Sequence, residues 1–370
     1  MGSCTELEVE WAELIKKIVP SARDGYVRAT SCGTEAILMA IRLSRIYTGR
    51  NKIVVHLGCY HGKGDLTICA GQGPPIKYYN VRGIPKSVMD DVIVIPFNNL
   101  EAAEKALQTG DVACLIIQGN ALFTKDYIVG LRKLTSDYGV VFILDEVISG
   151  FRYAAGGAQE YYGVVPDLSA LGKIPGGGAP IGAICGKKDI LQFYEFRDDY
   201  WNRFVRIKVG GTWNAQPICI AGGIAAMKII DEERNKIYPR IYEVGRRLTK
   251  SFNDAAEDLG VSAVTSGLPY DNPTLFAINL LKKAVPPEKR HLWQTGPRTF
   301  EEYAAKAEFN AGAEAYYANY LNLINNGIFA YGGRTYWLCI KHSDEDVQKT
   351  AEAFESSLRI LKENNLVAKT

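Results

Sequence analysis

The sequence predicts an α/β fold: a mostly parallel, doubly wound sheet in a large domain, followed by a smaller C-terminal α+β domain. Short apolar runs alternate with helical patterns over the first part of the 370-residue chain, as in folds built from βα units. Most of these runs lack polar–apolar alternation, which is typical of strands buried on both faces. From about Ile229 the chain changes to long, charged helical stretches. We therefore expect a large domain over residues 1–230, opened by an N-terminal helix, and a small domain over residues 231–370.

The elements of the large domain follow from the spacing of apolar residues. Four segments have apolar residues at helical spacing: Glu6–Val19, Ala36–Ser44, Leu100–Leu107 and Tyr127–Tyr138. Pro20 ends the first helix, because proline cannot continue a helical hydrogen-bond ladder. Six short apolar runs are the strand candidates: Ile53–His56, Val92–Ile95, Cys114–Ile117, Val140–Leu144, Leu168–Leu171 and Ala183–Cys185.

The small domain is read in the same way. Helical patterns are predicted for Ile229–Leu259, Phe300–Asn325 and Ser343–Lys362. Three apolar runs are its strand candidates: Thr274–Leu280, Ile328–Ala330 and Tyr336–Ile340. Ser343 suits the start of the last helix, since its hydroxyl can cap the first turn.

Composition excludes several classes of function. The net charge is +2, with acidic and basic residues mixed along the chain, so neither nucleic acid nor a membrane is an expected partner. Eight scattered cysteines and four histidines contain no pattern of metal ligands. No apolar run resembles a signal peptide or a membrane span. A reducing cytoplasm is therefore the expected setting.

The chemistry is concentrated between Ile143 and Pro180. Asp145 stands at the end of an apolar run, and Lys173 follows a second run just before Gly176-Gly177-Gly178. A lysine amine can form a Schiff base with an aldehyde, and a carboxylate can keep a pyridine nitrogen protonated. The pair suits a pyridoxal 5'-phosphate (PLP) enzyme. Taken singly, the lysine would be a solvated side chain and the acid a helix cap or metal ligand.

Three further turns could contact such a cofactor. Ser31-Cys32-Gly33-Thr34 opens a helix, where free N–H groups favour a phosphate. Gly58-Cys59-Tyr60-His61-Gly62 follows a strand, and an aromatic ring there could stack on a flat heterocycle. Gly210–Pro217 also opens a helix and contains Thr212, whose hydroxyl could bind phosphate. An ordinary capping turn, or a tyrosine packed under a loop, is the alternative in each case.

Together these blocks resemble the class III, fold-type I PLP aminotransferases, and specifically their glutamate-1-semialdehyde 2,1-aminomutase branch. The similarity covers nearly the whole chain. It is carried by four blocks: Thr5–Glu10 through Gly33-Thr34-Glu35-Ala36, Gly58–Gly62, Asp145–Arg152 with Gly156–Gly163, and Pro166-Asp167 through Pro180–Ala183.

The resemblance implies PLP as cofactor, bound in the large domain, and a small-molecule amino donor and acceptor. Lys173 would be the Schiff-base lysine and Asp145 the partner of the pyridine nitrogen. The other expected cofactor contacts are Cys32, Gly33 and Thr34 at the phosphate, Val147 and Tyr60 on the ring faces, and His61 in the same motif as Tyr60. Thr212 would reach the phosphate of the neighbouring subunit, which implies a homodimer with shared active sites.

The chain departs from the family pattern on the substrate side. The aminomutases carry an N-terminal segment that supplies a substrate-binding Arg, and the sequence does not contain it. Gln118-Gly119-Asn120 stands where a Glu-Pro pair is usual, and Asn120 is the candidate contact to the PLP ring oxygen. Arg334 stands where the aminomutases tend to carry a Glu. It is either a grip for a substrate carboxylate or part of a surface or interdomain ion pair.

The expected activity is therefore PLP-dependent amino transfer to or from a carboxylate-bearing substrate. Three alternatives stay open: a true glutamate-1-semialdehyde 2,1-aminomutase, an amino-acid racemase or epimerase on the same scaffold, and a degenerate non-catalytic paralogue. An added α-keto acid separates a transaminase from a racemase, because only the transaminase accumulates the new amino acid.

Overall fold

The computed structural model describes residues 4–68, 83–120 and 122–369. The chain divides into two compact units, Met1–Arg234 and Asn235–Thr370. The division of function between a cofactor-binding domain and a small domain stays a prediction.

The described part of the first unit contains a seven-stranded sheet in the order β1-β7-β6-β5-β4-β2-β3. Its strands are β1 (Tyr26–Thr30), β2 (Lys52–His56), β3 (Val92–Ile95), β4 (Val112–Gln118), β5 (Val141–Glu146), β6 (Leu168–Gly172) and β7 (Gly182–Gly186). Neighbours from β3 through β6 are parallel, whereas β7 is antiparallel to both β6 and β1. The prediction of a mostly parallel sheet is confirmed.

Helices accompany this sheet. They are α1 (Glu6–Ile18), α2 (Gly33–Thr48), α3 (Asp65–Ile68), α4 (Lys86–Met89), α5 (Leu100–Leu107), α6 (Lys125–Asp137), α7 (Gly157–Tyr162), α8 (Lys188–Leu191) and α9 (Pro217–Asp258), whose residues from 235 onward belong to the second unit. Ile37, Ala40 and Ile41 of α2 are buried in one apolar core with residues from the central strands. That packing fixes the N-terminal end of α2, on which part of the candidate site is built.

The second unit contains an antiparallel sheet in the order β10-β9-β8. Its elements are β8 (Ala263–Leu268), β9 (Leu275–Leu280), α10 (His291–Gln294), α11 (Phe300–Phe309), α12 (Ala313–Asn325), β10 (Thr335–Trp337) and α13 (Asp344–Glu363). Phe252 and Phe354 stack with ring centroids 4.1 Å apart. Ser343 caps α13 through a capping box with Asp346, as the sequence indicated.

Some elements differ from the sequence-based predictions. The predicted single helix Phe300–Asn325 is two helices, because the main chain between them pairs with the end of β9: Ala311 N–H donates to Leu280 O over 2.8 Å. Ile328–Ala330 is not a strand. β1 and β8 were not predicted, since polar residues interrupt both apolar patterns. Among the described helices, none is long and apolar enough to cross a bilayer.

Candidate active site

A cavity of about 300 Å³ opens at the carboxyl ends of the parallel strands, the edge at which open α/β sheets bind ligands. Gln118 and Asp145 are register partners at the ends of β4 and β5, and both line it. The lining includes all but one of the cofactor contacts expected from the first unit: Cys32, Gly33, Thr34, Tyr60, His61, Asn120, Asp145, Val147 and Lys173. The fold thus brings together residues that are up to 141 positions apart.

Asp145 is held by two hydrogen bonds inside the protein. Its Oδ1 accepts the Val147 N–H over 3.0 Å, and its Oδ2 lies 2.8 Å from His61 Nδ1. Both His61 and Asp145 are buried. The second ring nitrogen of His61, Nε2, has no hydrogen-bond partner among the described residues. These two contacts fix the orientation of the carboxylate.

Lys173 has an unusual backbone conformation. It follows β6 and has φ 61° and ψ −91°, a combination rarely adopted outside glycine. Gly176 N–H donates to Lys173 O over 3.0 Å and closes the turn. Backbone strain of this kind, of order 1–3 kcal/mol, is retained mostly at functional sites.

The electrostatic surroundings of Lys173 favour its neutral amine. Partial burial, which desolvates the amine, lowers the pKa of Lys173, and the positive charge of Arg152 lowers it further. The Asp145 carboxylate opposes it by stabilising the ammonium. Lys173 is exposed to the cavity, so solvent moderates all of these contributions.

The turn after Lys173 is held by close packing. Trp11 of α1 donates its Nε1–H to Pro175 O over 2.8 Å. A Cβ on Gly177 would lie 2.1 Å from Gly222 O, and one on Gly223 would lie 1.9 Å from Pro175 O. Only glycine fits at these two positions, so the beginning of α9 and the lysine turn are in direct backbone contact.

The first turn of α2 forms another wall of the cavity. Cys32 is its N-cap, and its thiol makes no capping hydrogen bond. The N–H groups of Gly33 and Thr34 donate to no acceptor within the described residues, as is usual for a helix N-terminus. A Cβ on Gly33 would lie 2.5 Å from Val147 Cγ2. This glycine therefore lets Val147 approach the helix end closely.

A chain of hydrogen bonds crosses a third wall. The Tyr60 N–H donates to Gln118 Oε1 over 2.9 Å, and Gln118 Nε2 donates to Asn120 Oδ1 over 3.0 Å. Tyr60 is half exposed and lines the cavity. The sequence named Tyr60 and Asn120 as contacts but assigned no site role to Gln118. The sequence offered one indication for Gln118, namely a polar amide at the end of a buried apolar run, as at Asp145.

Two predicted contacts lie outside the lining. Thr212 is exposed in the turn that precedes α9, and Asn214 of that turn donates to Glu35 Oε1 over 3.2 Å. Arg334 belongs to the second unit, where its Nη2 donates to Asn279 Oδ1 over 2.9 Å and its guanidinium lies over the Tyr316 ring. None of the ion pairs within residues 4–68, 83–120 and 122–369 includes Arg334. The roles predicted for both stay untested.

Comparison with known proteins identifies the family. Residues 3–285 match the family described as "Aminotransferase class-III". This chain belongs to the class-III aminotransferase family. The class-III match covers most of the chain, including every residue of the cavity wall.

Class-III relatives align over nearly the full chain. The glutamate-1-semialdehyde 2,1-aminomutase of Archaeoglobus fulgidus is 34% identical over 367 residues, which cover 96% of this chain and 80% of that protein. The enzyme of the same name from Natranaerobius thermophilus is 33% identical over 369 residues, covering 96% and 78%.

Solved class-III structures share the fold. An omega-transaminase from Sphaerobacter thermophilus has a TM-score of 0.80 and 30% identity, with 97% of this chain and 79% of that chain covered. A transaminase with PLP bound has a TM-score of 0.79 and 26% identity, with 99% and 80% covered. The chain is thus a PLP-dependent enzyme of fold type I that transfers amino groups.

The cavity wall fits PLP. It offers an amine for the aldehyde, a fixed carboxylate for the ring nitrogen and free helix N–H groups for the phosphate. Its volume is at the lower end of the range for small-molecule sites. The glycine at position 33 leaves room where a side chain would collide with Val147.

Proposed function

We propose that the protein is a PLP-dependent aminotransferase that moves an amino group to or from a carboxylate-bearing substrate. The observation that carries this proposal is the joint position of Lys173 and Asp145 on the wall of one cavity. Lys173 is displayed on a strained turn, and Asp145 is fixed by His61. The family assignment supports the same chemistry.

Lys173 is the proposed attachment point and base. When bound, PLP supplies an aldehyde that condenses with amines and a ring that delocalises negative charge. Lys173 Nζ takes a proton from the substrate Cα and returns one at a later step. The lowered pKa of Lys173 favours this role, because a base is most effective when its pKa approaches the working pH.

Asp145 is the proposed partner of the ring nitrogen, and His61 positions Asp145. The His61 Nδ1–H holds Oδ2 of the carboxylate, and the Val147 N–H holds Oδ1. The sequence predicted His61 as a cofactor contact. Its hydrogen bond to Asp145 supports an action through the carboxylate instead.

The remaining predicted contacts hold the cofactor. The N–H groups of Gly33 and Thr34, next to Cys32, would hold the phosphate at the end of α2. Val147 and Tyr60 line the cavity and would contact the cofactor ring, and Asn120 would donate to its ring oxygen.

The assembly in this proposal is a homodimer with shared active sites. Thr212 is exposed and absent from the cavity lining of its own chain, so its hydroxyl is free to serve a second copy. Among the large apolar side chains exposed on the described part of this unit, five come from residues 196–218, and an interface would cover them: Phe196, Tyr200, Phe204, Trp213 and Ile218. The cytoplasm is the proposed location, and the described cysteines are free thiols.

Arg334 is the proposed grip for the substrate carboxylate. Its partner Asn279 is neutral, so the guanidinium keeps its full charge and several unused donors. The relatives named as aminomutases leave a second candidate function, the isomerisation of glutamate-1-semialdehyde. That reaction needs no second substrate, whereas a transaminase requires an amino acceptor.

The deciding experiment combines labelling and turnover. Borohydride treatment of the holoenzyme should attach the cofactor to the peptide that contains Lys173, and mass spectrometry reads the site. Amino donors should then bleach the visible absorption, and an α-keto acid should restore it. Labelling at another lysine would contradict the attachment point. Turnover of glutamate-1-semialdehyde alone, with no response to keto acids, would establish the aminomutase.

A further inference from the structure

The hydrogen bonds around Gln118 have only one possible polarity. A backbone N–H can only donate, so the Gln118 atom that lies 2.9 Å from the Tyr60 nitrogen must be the carbonyl oxygen. The other end of this amide is then the NH₂ group, which can only donate. Its partner on Asn120, 3.0 Å away, must therefore be Oδ1.

This relay, from the Tyr60 N–H through the Gln118 amide to Asn120, leaves the NH₂ group of Asn120 free. Its Oδ1 is engaged by Gln118, and its Nδ2 carries two hydrogens with no acceptor among the residues that the structure describes. Asn120 lines the cavity together with Gln118 and Tyr60. The free group that the asparagine can offer to a ligand is thus a donor.

We propose that Gln118 is a positioning residue that orients the Asn120 amide so that Nδ2 donates to the oxyanion on the cofactor ring. This inference rests on the proposed function, since it needs PLP in the cavity. A donor stabilises a negatively charged oxygen, while the inverted amide would place an acceptor against it. Gln118 thereby influences the protonation state of the bound cofactor through Asn120.

The orientation also depends on the Tyr60 loop. The donor that starts the relay is the main chain of Tyr60, 58 positions away from Gln118. Any side chain at position 118 that accepts from this N–H but cannot donate onwards would release or invert Asn120. Glutamate is that side chain, because it has the size of glutamine and, when ionised, two acceptors.

The test follows the visible absorption band of the bound cofactor through a pH titration. Gln118→Glu should raise the midpoint by about one pH unit, because withdrawal of a donor from an oxyanion increases its affinity for a proton. Asn120→Ala should raise it to a similar extent. In the Asn120→Ala background, Gln118→Glu should have no further effect, since both changes remove the same hydrogen bond.

Two outcomes would overturn the inference. One is an unchanged midpoint in Gln118→Glu. The other is a full shift by Gln118→Glu in the Asn120→Ala background, which would mean that the glutamate charge acts directly on the cofactor. Failure of the proposed function is distinguishable: the wild-type protein would then show no borohydride labelling at Lys173.

Discussion

His61 Nδ1 lies 2.8 Å from Asp145 Oδ2, with neither side chain more than 5% exposed to solvent. The carboxylate is therefore fixed before a ligand arrives. We predict that Asp145→Asn keeps the fold but slows proton removal from the substrate by roughly 100-fold or more, because a preorganised charge is lost. The single-turnover rate with an α-deuterated amino donor measures this. A near-normal rate would remove Asp145 from the mechanism.

Glu146 is the matched control for that variant. It is the adjacent carboxylate, but it is buried and accepts hydrogen bonds from the N–H groups of Ala158 and Gln159 at the start of α7. Burial raises the pKa of Glu146. Glu146→Gln should lower the free energy of unfolding by about 1–3 kcal/mol and leave the cofactor spectrum unchanged. A loss of cofactor binding by the folded variant would contradict this division of roles.

The lowered pKa of Lys173 predicts how the apoenzyme takes up PLP. Only the neutral amine reacts, so the uptake rate should rise with pH around a midpoint below about 10.4, the ordinary value for lysine. Asp145→Asn should move this midpoint further down, because the carboxylate stabilises the ammonium. Stopped-flow absorbance at a series of pH values measures both. An upward movement in the variant would show that the Asp145 charge does not act on Lys173.

Gly33 should be sensitive to the smallest substitution. In Gly33→Ala the new methyl group would meet Val147 Cγ2 at 2.5 Å, an overlap that typically costs about 1–3 kcal/mol. We expect PLP affinity to fall by roughly 10-fold or more, measured by quenching of tryptophan fluorescence. In the Val147→Ala background, Gly33→Ala should cost less PLP affinity than it does in the wild-type protein, because the colliding methyl group is gone. An equal cost in both backgrounds would place the damage in the helix turn itself.

Arg334 can be tested with paired substrates. Loss of a charged partner in a desolvated site costs about 2–5 kcal/mol, so Arg334→Ala should weaken carboxylate-bearing substrates by roughly 30-fold or more. Simple amines should be unaffected. Equal losses of affinity for carboxylate-bearing substrates and simple amines, or no loss for either, would contradict a role for Arg334 in binding the carboxylate. Asn279→Ala should give a smaller effect in the same direction, because it removes only the contact that orients the guanidinium.

His56 predicts a pH dependence of stability. Burial lowers its pKa from 6.5 to about 3, with a small contribution from His61. Below pH 6.5 the unfolded chain binds a proton that the folded chain excludes, so stability is full above this pH and is lost as the pH falls. The loss between about pH 6.5 and about pH 4.5 should be about 2 kcal/mol.

Urea unfolding at several pH values tests this prediction. The comparison is between Tyr127→Phe and the double variant His56→Phe/Tyr127→Phe, because Tyr127 OH lies 2.7 Å from His56 Nε2 and would otherwise lose its partner. The double variant should lose less stability on acidification. Parallel slopes in the two proteins would rule out His56 as the titrating group.

Much of the site was predictable because it lies at strand ends. Asp145 and Lys173 follow buried apolar runs, and the fold class alone brings such positions to one edge of the sheet. β1 was missed because its Tyr-Val-Arg-Ala-Thr pattern is half exposed. The Gln118 relay was missed because its polarity depends on a main-chain N–H that only the folded loop brings near.

Trp11 lies 164 positions before Pro175 in sequence, yet its indole holds the turn that carries Lys173. Helix α1 contributes no residue to the cavity wall, yet it contacts the backbone of the turn that follows Lys173. Redesign that varies only the residues lining the cavity would therefore leave out a contact that supports the turn after Lys173. Directed-evolution libraries should include position 11. Even an apolar substitution of similar size there removes the indole N–H and with it the hydrogen bond to Pro175 O.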